Sequence, residues 1–300
     1  MTAPVTFGIL CCGSYYSPWT PYTLASIYGV CDRIVVVNAG FDLRDPKVEK
    51  NDVPLERVSK DVKWLDVEGR VIEVKDVSRL KRKYPVTSQK EANRLGLKEW
   101  YDLRGRNMTL ASEVAYYEGA TMVLRIDSDQ VCYWDVLGLR GRREALILYQ
   151  YEFQGDVFHL AEPGPSSPWN DSVYYYRIHP DDWYVGGLAP VIHADRQESR
   201  DYHCAHLRQA NPIGLSHEES YRHFRDRFLF REWTNQYGEF TPELFEKVDE
   251  MARDALSRVG KATDLFPPEV TVGDPFKYVE ETSRFREYRW TEKSSTGSSR

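Results

Sequence analysis

The amino-acid sequence predicts an α/β protein in which helices flank a mixed, mostly parallel sheet. Its first half alternates apolar, β-branched runs with helix-like segments, a pattern typical of doubly wound sheets. The β-branched runs are apolar on both faces, as parallel strands covered by helices tend to be. The 300 residues are 41% hydrophobic and 29% charged, which is enough chain for one large globular domain with a sizeable core.

The first elements follow one another closely. The run "TFGILCCG" predicts a buried strand that ends at Gly13, and "SPWTPYTLASIYGV" predicts a helix that begins at Ser17 and Pro18 and ends near Gly29. The run "DRIVVVNAG" predicts a second strand, and "RVIEVKDV" predicts a third.

The centre of the sequence carries its most informative pattern. The segment "RNMTLASEVAYYEGA" predicts a helix that stops at Gly119 and leads directly into the apolar strand "TMVLRIDSD". That strand ends in Asp127 and Asp129, with Ser128 between them. In doubly wound sheets, ligands bind at the carboxyl ends of the strands, so the two aspartates lie where a ligand is expected.

The second half is less regular. We expect strands in "EALILYQYEF" and "DSVYYYRI", a basic and aromatic helix at Ser216–Trp233, and an amphipathic helix at Pro242–Val259. The chain then becomes proline-rich and polar, which predicts a disordered end. We therefore expect one domain over residues 3–235, followed by a helical extension and flexible tail over 236–300.

Composition excludes several classes of protein. The net charge of −6 disfavours a sequence-independent nucleic-acid binder, which normally carries a basic excess. No apolar run approaches the ~18 residues that a membrane span needs, and "TFGILCC" lacks the basic flank of a signal peptide. Five cysteines without a C-x-x-C pair favour a reducing compartment, so we expect a cytoplasmic protein.

Two carboxylates in a D-x-D tripeptide can share one divalent cation. Such oxygen ligands suit Mg²⁺ or Mn²⁺, which bridge to the phosphates of a substrate and stabilise a departing diphosphate. A D-x-D tripeptide alone occurs about once by chance in a chain of this length, so its placement at a strand end carries the prediction. Arg125 lies on the same side of the strand as Asp127, which predicts a buried ion pair, with Glu113 as one partner, or a phosphate contact.

Three stretches together resemble the GT-A glycosyltransferases, and among them the inverting family 2. These are the opening strand and helix with "DRIVVVNAG", the run "RNMTLASEVAYYEGATMVLRIDSDQV", and the segment "YYYRIHPDDWYVGG". The resemblance covers about the first two thirds of the chain. It implies a Rossmann-like GT-A domain that binds a nucleotide-sugar, with a UDP-sugar favoured, through Mn²⁺ or Mg²⁺.

The resemblance also implies roles for individual residues. Asp129 would be a metal ligand, and Asp127 would contact the ribose or the metal through water. The donor pocket would include residues at the ends of the first three strands and of the D-x-D strand: Cys12, Gly13, Ser14, Asn38, Ala39, Gly40, Asp76, Arg125 and Ser128. Asp76 is a candidate base contact, although the residue pattern favours an exposed loop acid at this position. Asn38 stands where the family frequently has Asp, so the nucleobase preference is not transferred.

A late histidine and a general base complete the implied site. His206, in "DYHCAHLRQANP", is preferred to His203 as a further metal ligand, although a structural histidine is an equal alternative. An inverting transferase needs a base for the acceptor hydroxyl. Asp181 and Asp182 are candidates, although "HPDD" is also a good turn sequence, and Asp156 is the competing base.

Two alternatives and one related enzyme class remain open. In a haloacid-dehalogenase-like phosphatase Asp127 would be the nucleophile, but the acidic motif of that family normally ends the first strand of the sheet. The family also usually needs a later basic residue, most often Lys, to hold the phosphate, and no Lys lies between Lys98 and Lys247 here. A nucleotidyltransferase would carry a glycine-rich, basic phosphate loop after the first strand. The segment at that place here, "CCGSYYSPW", has one glycine and no Lys or Arg. A non-catalytic nucleotide-sugar-binding module is the third possibility.

The acceptor stays open among glycan, lipid, protein, small molecule and nucleic-acid base. We expect the segment Asp42–Arg106 and the region after Trp233 to shape the acceptor site.

Overall fold

The structure is a computed structural model of the chain. It describes residues 3–12, 16–39, 55–76, 103–155, 173–180, 182–185, 189–191, 197–210, 217–235, 241–257, 276–277 and 279–280. All statements about the fold refer to these ranges.

The first half contains the four strands and three helices that frame the acidic tripeptide. In chain order they are β1 (Thr6–Cys11), α1 (Thr20–Tyr28), β2 (Arg33–Val37), α2 (Glu56–Leu65), β3 (Val71–Val74), α3 (Leu103–Tyr117) and β4 (Met122–Asp127). Gly119 has a positive φ of 94°, a left-handed conformation that glycine adopts without steric cost after a helix. The helix therefore ends where the sequence predicts.

The second half adds six strands and two long helices. After β5 (Gln130–Cys132) and a 3-10 helix (Trp134–Leu139) come β6 (Leu146–Gly155), β7 (Tyr174–Arg177), β8 (Trp183–Val185), β9 (Ala189–Val191) and β10 (Gln197–Ala210). The helices are α4 (His217–Asn235) and α5 (Pro242–Ser257).

Eight of the described strands form one mixed sheet. Their order is β3-β2-β1-β4-β7-β6-β10-β5, and β8 and β9 form a separate antiparallel pair. The pairs β3–β2, β2–β1, β1–β4 and β6–β10 are parallel, whereas β7 is antiparallel to both β4 and β6, and β5 is antiparallel to β10. This is the mostly parallel α/β sheet that the sequence predicts.

The chain changes direction across the sheet between β1 and β4. From β1 it moves outward to β2 and β3, and it then returns to place β4 on the other side of β1. The two strands are in parallel register, with Cys11 beside Asp127 at their carboxyl ends. A reversal of this kind opens a crevice at the carboxyl ends of the strands, where α/β proteins bind ligands.

Hydrophobic clusters cover both faces of the sheet. One contains apolar residues of α1, α2 and the 3-10 helix, such as Leu24 and Val58, packed on Leu124 and Ile126 of β4. The other contains residues of α3, such as Ala111 and Val114, packed on Ile9 and Val123. Because β4 is buried on both faces, its charged residues Arg125 and Asp127 need hydrogen-bond or ion-pair partners inside the protein.

The strands and helices that the sequence predicts are present, with bounds shifted by a few residues. The sequence patterns did not predict α2, β5, β8, β9 or β10. Within the segment Asp42–Arg106, residues 55–76 contain α2 and the predicted β3, and its role in an acceptor site stays a prediction. Polar residues interrupt β10 in sequence, so it carries no clear alternating pattern.

The region after residue 235 contacts the rest of the chain. Arg225 of α4 donates to Asp249 of α5 over 2.8 Å, across the expected boundary at residue 235. Val279 is 3% exposed and belongs to the core cluster on the α1 face of the sheet, and the ring of Phe276 meets that of Tyr28 edge-on at 5.8 Å. The described residues near position 279 therefore pack on the core.

Among the described residues, no helix combines the length and the apolar character that crossing a membrane would require.

Candidate functional site

The acidic tripeptide lies at the carboxyl ends of the paired strands β1 and β4. Asp127 is the last residue of β4, and the tripeptide then turns into β5. Its backbone is held on two sides, because the hydroxyl of Thr23 in α1 donates to the Ser128 carbonyl at 3.2 Å and the amide of Leu207 in β10 donates to the Asp129 carbonyl at 2.8 Å. The two carboxylates therefore emerge from a backbone that α1 and β10 fix in place.

Arg125 and Asp127 form an ion pair within β4. The guanidinium Nη2 lies 2.8 Å from Asp127 Oδ1, and the Arg125 side chain is completely buried whereas 12% of the Asp127 side chain is exposed. Residues two apart on a strand share a face, so this pair follows from the strand itself. The structure thus shows Arg125 in a buried ion pair with Asp127 as a partner, and the phosphate contact stays a prediction.

His206 lies beside the second carboxylate. Its Nε2 is 3.7 Å from Asp129 Oδ1, and both side chains are largely buried. Strand β10 supplies His206 because it pairs with β5, in the register that sets His206 opposite Gln130. The other predicted histidine, His203, instead binds the carboxylate of Asp135 through Nδ1 at 2.8 Å.

Two buried glutamines, which the sequence interpretation missed, connect the tripeptide to His206. Asp127 donates its backbone N–H to Gln130 Oε1 at 2.8 Å, Gln130 Nε2 donates to Gln150 Oε1 at 2.9 Å, and Gln150 Nε2 lies 3.1 Å from His206 Nδ1. The signal that could have identified Gln150 is a lone amide within the apolar strand pattern "LILYQY", since buried polar side chains need partners.

The predicted metal ligands can be compared with this geometry. Among the described residues, no three His, Cys, Asp or Glu side chains form a group that could hold a metal ion. The described structure therefore offers Asp127 and Asp129 without a third protein ligand. Two carboxylates still fit Mg²⁺ or Mn²⁺, because such ions complete their shell with water and substrate phosphates. Metal binding at Asp127 and Asp129 stays a prediction.

The residues expected around the nucleoside are buried where the structure describes them. Cys12 is 1% exposed and Ala39 is completely buried, with the Ala39 carbonyl accepting a hydrogen bond from the side chain of Asn107 in α3. Burial raises the pKa of the Cys12 thiol well above its ordinary value, so it is held as a neutral thiol. Asp76 is exposed directly after β3.

Asn38, which is expected in the donor pocket, makes several hydrogen bonds inside the fold, and its role toward a donor stays a prediction. Its side chain is completely buried. It accepts from the Leu55 amide at 2.9 Å and donates to the Leu55 carbonyl at 3.0 Å, to Ser59 at 3.2 Å and to Glu73 at 2.8 Å. Asn38 thus joins the start of α2 to β3, and these internal bonds account for an Asn at this position.

Asp182, a predicted general base, forms hydrogen bonds within a turn. It is completely buried, and its Oδ2 accepts the His179 backbone N–H at 2.7 Å while its own N–H donates back to the His179 carbonyl at 3.1 Å. A base must reach the acceptor hydroxyl, whereas this carboxylate closes a turn. The hydrogen bonds agree with the turn that "HPDD" also predicts, and the role of Asp182 as a base stays a prediction.

The remaining predicted site residues lie outside the described residues. These are the donor-pocket positions Gly13, Ser14 and Gly40 and the candidate bases Asp156 and Asp181. Their assignments stay predictions.

The comparisons with known proteins identify no family. No protein-family model matches the chain, and no curated protein matches it. Similar solved structures include one described as a glucose-1-phosphate thymidylyltransferase from Bacillus anthracis in complex with a sucrose, at 11% identity and a TM-score of 0.30, covering 57% of this chain and 71% of that one. Another is a mannose-1-phosphate geranyltransferase from Thermus thermophilus, at 11% identity and a TM-score of 0.26, covering 82% of this chain and 67% of that one. At these scores neither likeness carries an argument about substrate or chemistry.

Proposed function

We propose that this protein is a sugar-nucleotide-dependent transferase of the glycosyltransferase type. It binds the diphosphate of a nucleotide-sugar, with a UDP-sugar favoured, through Mn²⁺ or Mg²⁺ held by Asp127 and Asp129. It transfers the sugar to an acceptor hydroxyl, with inversion as the expected stereochemistry.

One observation carries this proposal. Asp127 ends β4 and Asp129 follows two residues later, at the carboxyl end of the strand beside β1, where the chain reverses direction across the sheet. This is the position at which open α/β sheets bind ligands. Both aspartates are at least nine-tenths buried without being sealed, with exposed fractions of 8% and 9%, so a bound cation would lie in a crevice that excludes most water.

The chemistry follows from charge. A divalent cation would offset the negative charge of the diphosphate as it leaves the sugar. The buried guanidinium of Arg125 holds one oxygen of Asp127, which orients that carboxylate for a ligand on its exposed side. The acceptor hydroxyl needs a base, for which Asp156 and Asp181 remain candidates.

The phosphatase alternative gains no support from the geometry. It needs Asp127 as a nucleophile at the end of the first strand, whereas β4 is the fourth strand in chain order. It also needs a later acidic pair for the metal, and Asp182 is committed to its turn. The alternative of a binding module without catalysis shares the proposed donor site and differs only in lacking transfer.

Thermal-shift titration with nucleoside diphosphates, with and without Mn²⁺, tests the donor site. We expect UDP to raise the melting temperature only when Mn²⁺ is present, because binding to the folded state stabilises it by mass action. Asp129→Asn should abolish this response, since an amide is a poor ligand for a hard cation.

Glu118→Gln is the matched control. It removes one carboxylate at the opposite end of β4, where Glu118 forms an exposed ion pair with Arg33, and it should leave the response unchanged. A wild-type protein that responds to no nucleoside diphosphate in the presence of Mn²⁺ would refute the proposed function.

A further inference from the structure

A backbone amide determines which groups donate and which accept in the series of hydrogen bonds that leads to His206. A backbone N–H can only donate, so the atom of Gln130 that lies 2.8 Å from the Asp127 nitrogen must be its carbonyl oxygen. The amide orientation of a glutamine is normally ambiguous because its O and N look alike. Here the backbone of Asp127 removes that ambiguity.

The same direction passes from one glutamine to the next. With its oxygen turned to Asp127, Gln130 presents its NH₂ group to Gln150, whose oxygen accepts at 2.9 Å. Cys204 lies opposite Gln150 in the sheet, and its thiol approaches the same oxygen at 3.9 Å, as a weak donor should. Gln150 must therefore present its NH₂ group to His206 Nδ1, which lies 3.1 Å away.

This arrangement determines the tautomer of His206. An Nδ1 that accepts a hydrogen bond carries no proton, so in the neutral ring the proton is on Nε2. That Nε2–H faces Asp129, with 3.7 Å between Nε2 and Oδ1. The opposite tautomer would require both glutamine side-chain amides to be reversed, which would set the Gln130 NH₂ group against the Asp127 N–H, a donor against a donor. Solvent has little access to compensate for this, because Gln130 is 0% and Gln150 is 1% exposed.

We propose that His206 acts in this site as an Nε2–H hydrogen-bond donor and not as a metal ligand, and that Gln130 and Gln150 are positioning residues that hold it in this tautomer. A histidine that binds a metal normally donates its other ring N–H to an acceptor, whereas here the other ring nitrogen accepts. The donor faces Asp129 and, on the proposed function, the diphosphate bound beside it. The tautomer itself does not depend on that function.

Long-range ¹H–¹⁵N NMR of the full chain, with ¹⁵N in the histidine rings, measures the tautomer directly. At about pH 8, above the ordinary pKa of an unperturbed imidazole, we expect His206 to carry its proton on Nε2. His203 is an internal reference with a proton on Nδ1, because that atom binds the Asp135 carboxylate at 2.8 Å. The signals are assigned with His203→Asn and His206→Asn, and a proton on His206 Nδ1 in the wild type would overturn the proposal.

Gln150→Glu tests the role of the glutamines. A carboxylate only accepts, so Glu at this position should draw the His206 proton to Nδ1, while Gln130 can still donate to it. Cys204→Ala is the matched control: it removes the other neighbour of the Gln150 oxygen and should leave Nε2–H unchanged. If His206 keeps Nε2–H in Gln150→Glu while the His203 signals stay native, the glutamines do not set the tautomer.

Mn²⁺ affinity in the presence of UDP, measured by electron paramagnetic resonance of free Mn²⁺, tests the absence of ligation. His206→Gln keeps an N–H donor beside Asp129 and should change this affinity by about two-fold or less, whereas Asp129→Asn removes a ligand and should lower it by about ten-fold or more. An equal loss in both variants would overturn the proposal. If the wild type binds no Mn²⁺ with any nucleoside diphosphate, the proposed function fails, and the NMR result still decides the role of the glutamines.

Discussion

At the scale of single residues, burial decides what each charged group in this protein can do. Arg125 is completely buried in the central strand β4 and is paired with Asp127 at 2.8 Å. A buried charge is tolerated only with a partner, so the guanidinium constrains Asp127 as much as it stabilises it. The same carboxylate that we assign to the donor site therefore also contributes to the fold.

We expect Arg125→Met to destabilise the protein by about 3 kcal/mol, because it leaves the Asp127 carboxylate without its buried counter-charge. Arg125→Met combined with Asp127→Asn should recover part of this loss, since neither charge then remains. Urea denaturation of the two single variants and the double variant measures the coupling free energy. Strictly additive losses would contradict the pairing.

Asp61 of α2 predicts a pH dependence of stability. Burial raises its pKa to about 6, in spite of the hydrogen bond from Tyr16 and the nearby charge of Arg57. A raised pKa means that the folded state favours the neutral acid. The contribution to stability is thus fully present below the unfolded value of 3.8 and is lost as pH rises through about 6.

Asp61→Asn should therefore stabilise the protein at pH 7 by about 1–2 kcal/mol, after allowance for solvent screening. It should have little effect below the unfolded pKa, where both side chains are neutral. Urea denaturation over this pH range measures the difference, with Glu118→Gln as an exposed control. A stability difference that does not grow with pH would show that Asp61 is already ionised at low pH in the folded protein.

At the scale of elements, one side chain joins a helix to a strand. Asn38, directly after β2, bonds to Leu55 at the start of α2 and to Glu73 in β3. Asn38 thus holds the start of α2 beside β3. Because the amide donates to an acidic side chain, Asp cannot replace it without placing two carboxylates together.

We expect Asn38→Asp to destabilise the protein by about 3 kcal/mol, since it loses buried donors and sets a carboxylate beside Glu73. Glu73→Gln in the same chain should restore part of the stability by removing the second charge and supplying an amide donor. Thermal and urea denaturation compare the three proteins. Failure of Glu73→Gln to rescue would show that the lost bonds to Leu55 dominate.

At the scale of the whole molecule, the C-terminal region contributes to the core. Val279 is 3% exposed among residues of the sheet and α1, and Phe276 meets Tyr28. The expected division into a domain of residues 3–235 and a separate extension is not tested by the structure. The contacts nevertheless tie the two parts of the chain together.

A chain truncated after residue 274 should melt several degrees below the full chain, because it exposes the surface that Val279 and Phe276 cover. Burial of one such side chain is worth about 1.5–3 kcal/mol, and 1 kcal/mol corresponds to about 2–4 °C in a domain of this size. A chain truncated after residue 280 keeps both side chains and is the matched control. Equal melting temperatures for the two truncated chains would contradict the packing of this segment.

The sequence by itself determined the elements that local patterns specify. The β-branched runs predicted β1, β2 and β4 as buried strands, the run of small and apolar residues before Gly119 predicted α3, and the D-x-D tripeptide followed as a strand end. Each of these signals lies within about fifteen residues, because strand and helix periodicities record which face is buried.

Only the tertiary structure decided which residues meet. The pairing of β10 with β5 and β6 brings His206 to Asp129 and to two glutamines that the sequence interpretation missed. Internal bonds hold Asn38 and Asp182, and the sequence pattern did not specify these partners. The periodicity of apolar residues predicts which face of a strand or helix is buried, but it does not predict which residues contact that face. Those contacts depend on strand register between segments distant in sequence. For that reason the acidic tripeptide was predictable, whereas the surroundings that decide its chemistry were not.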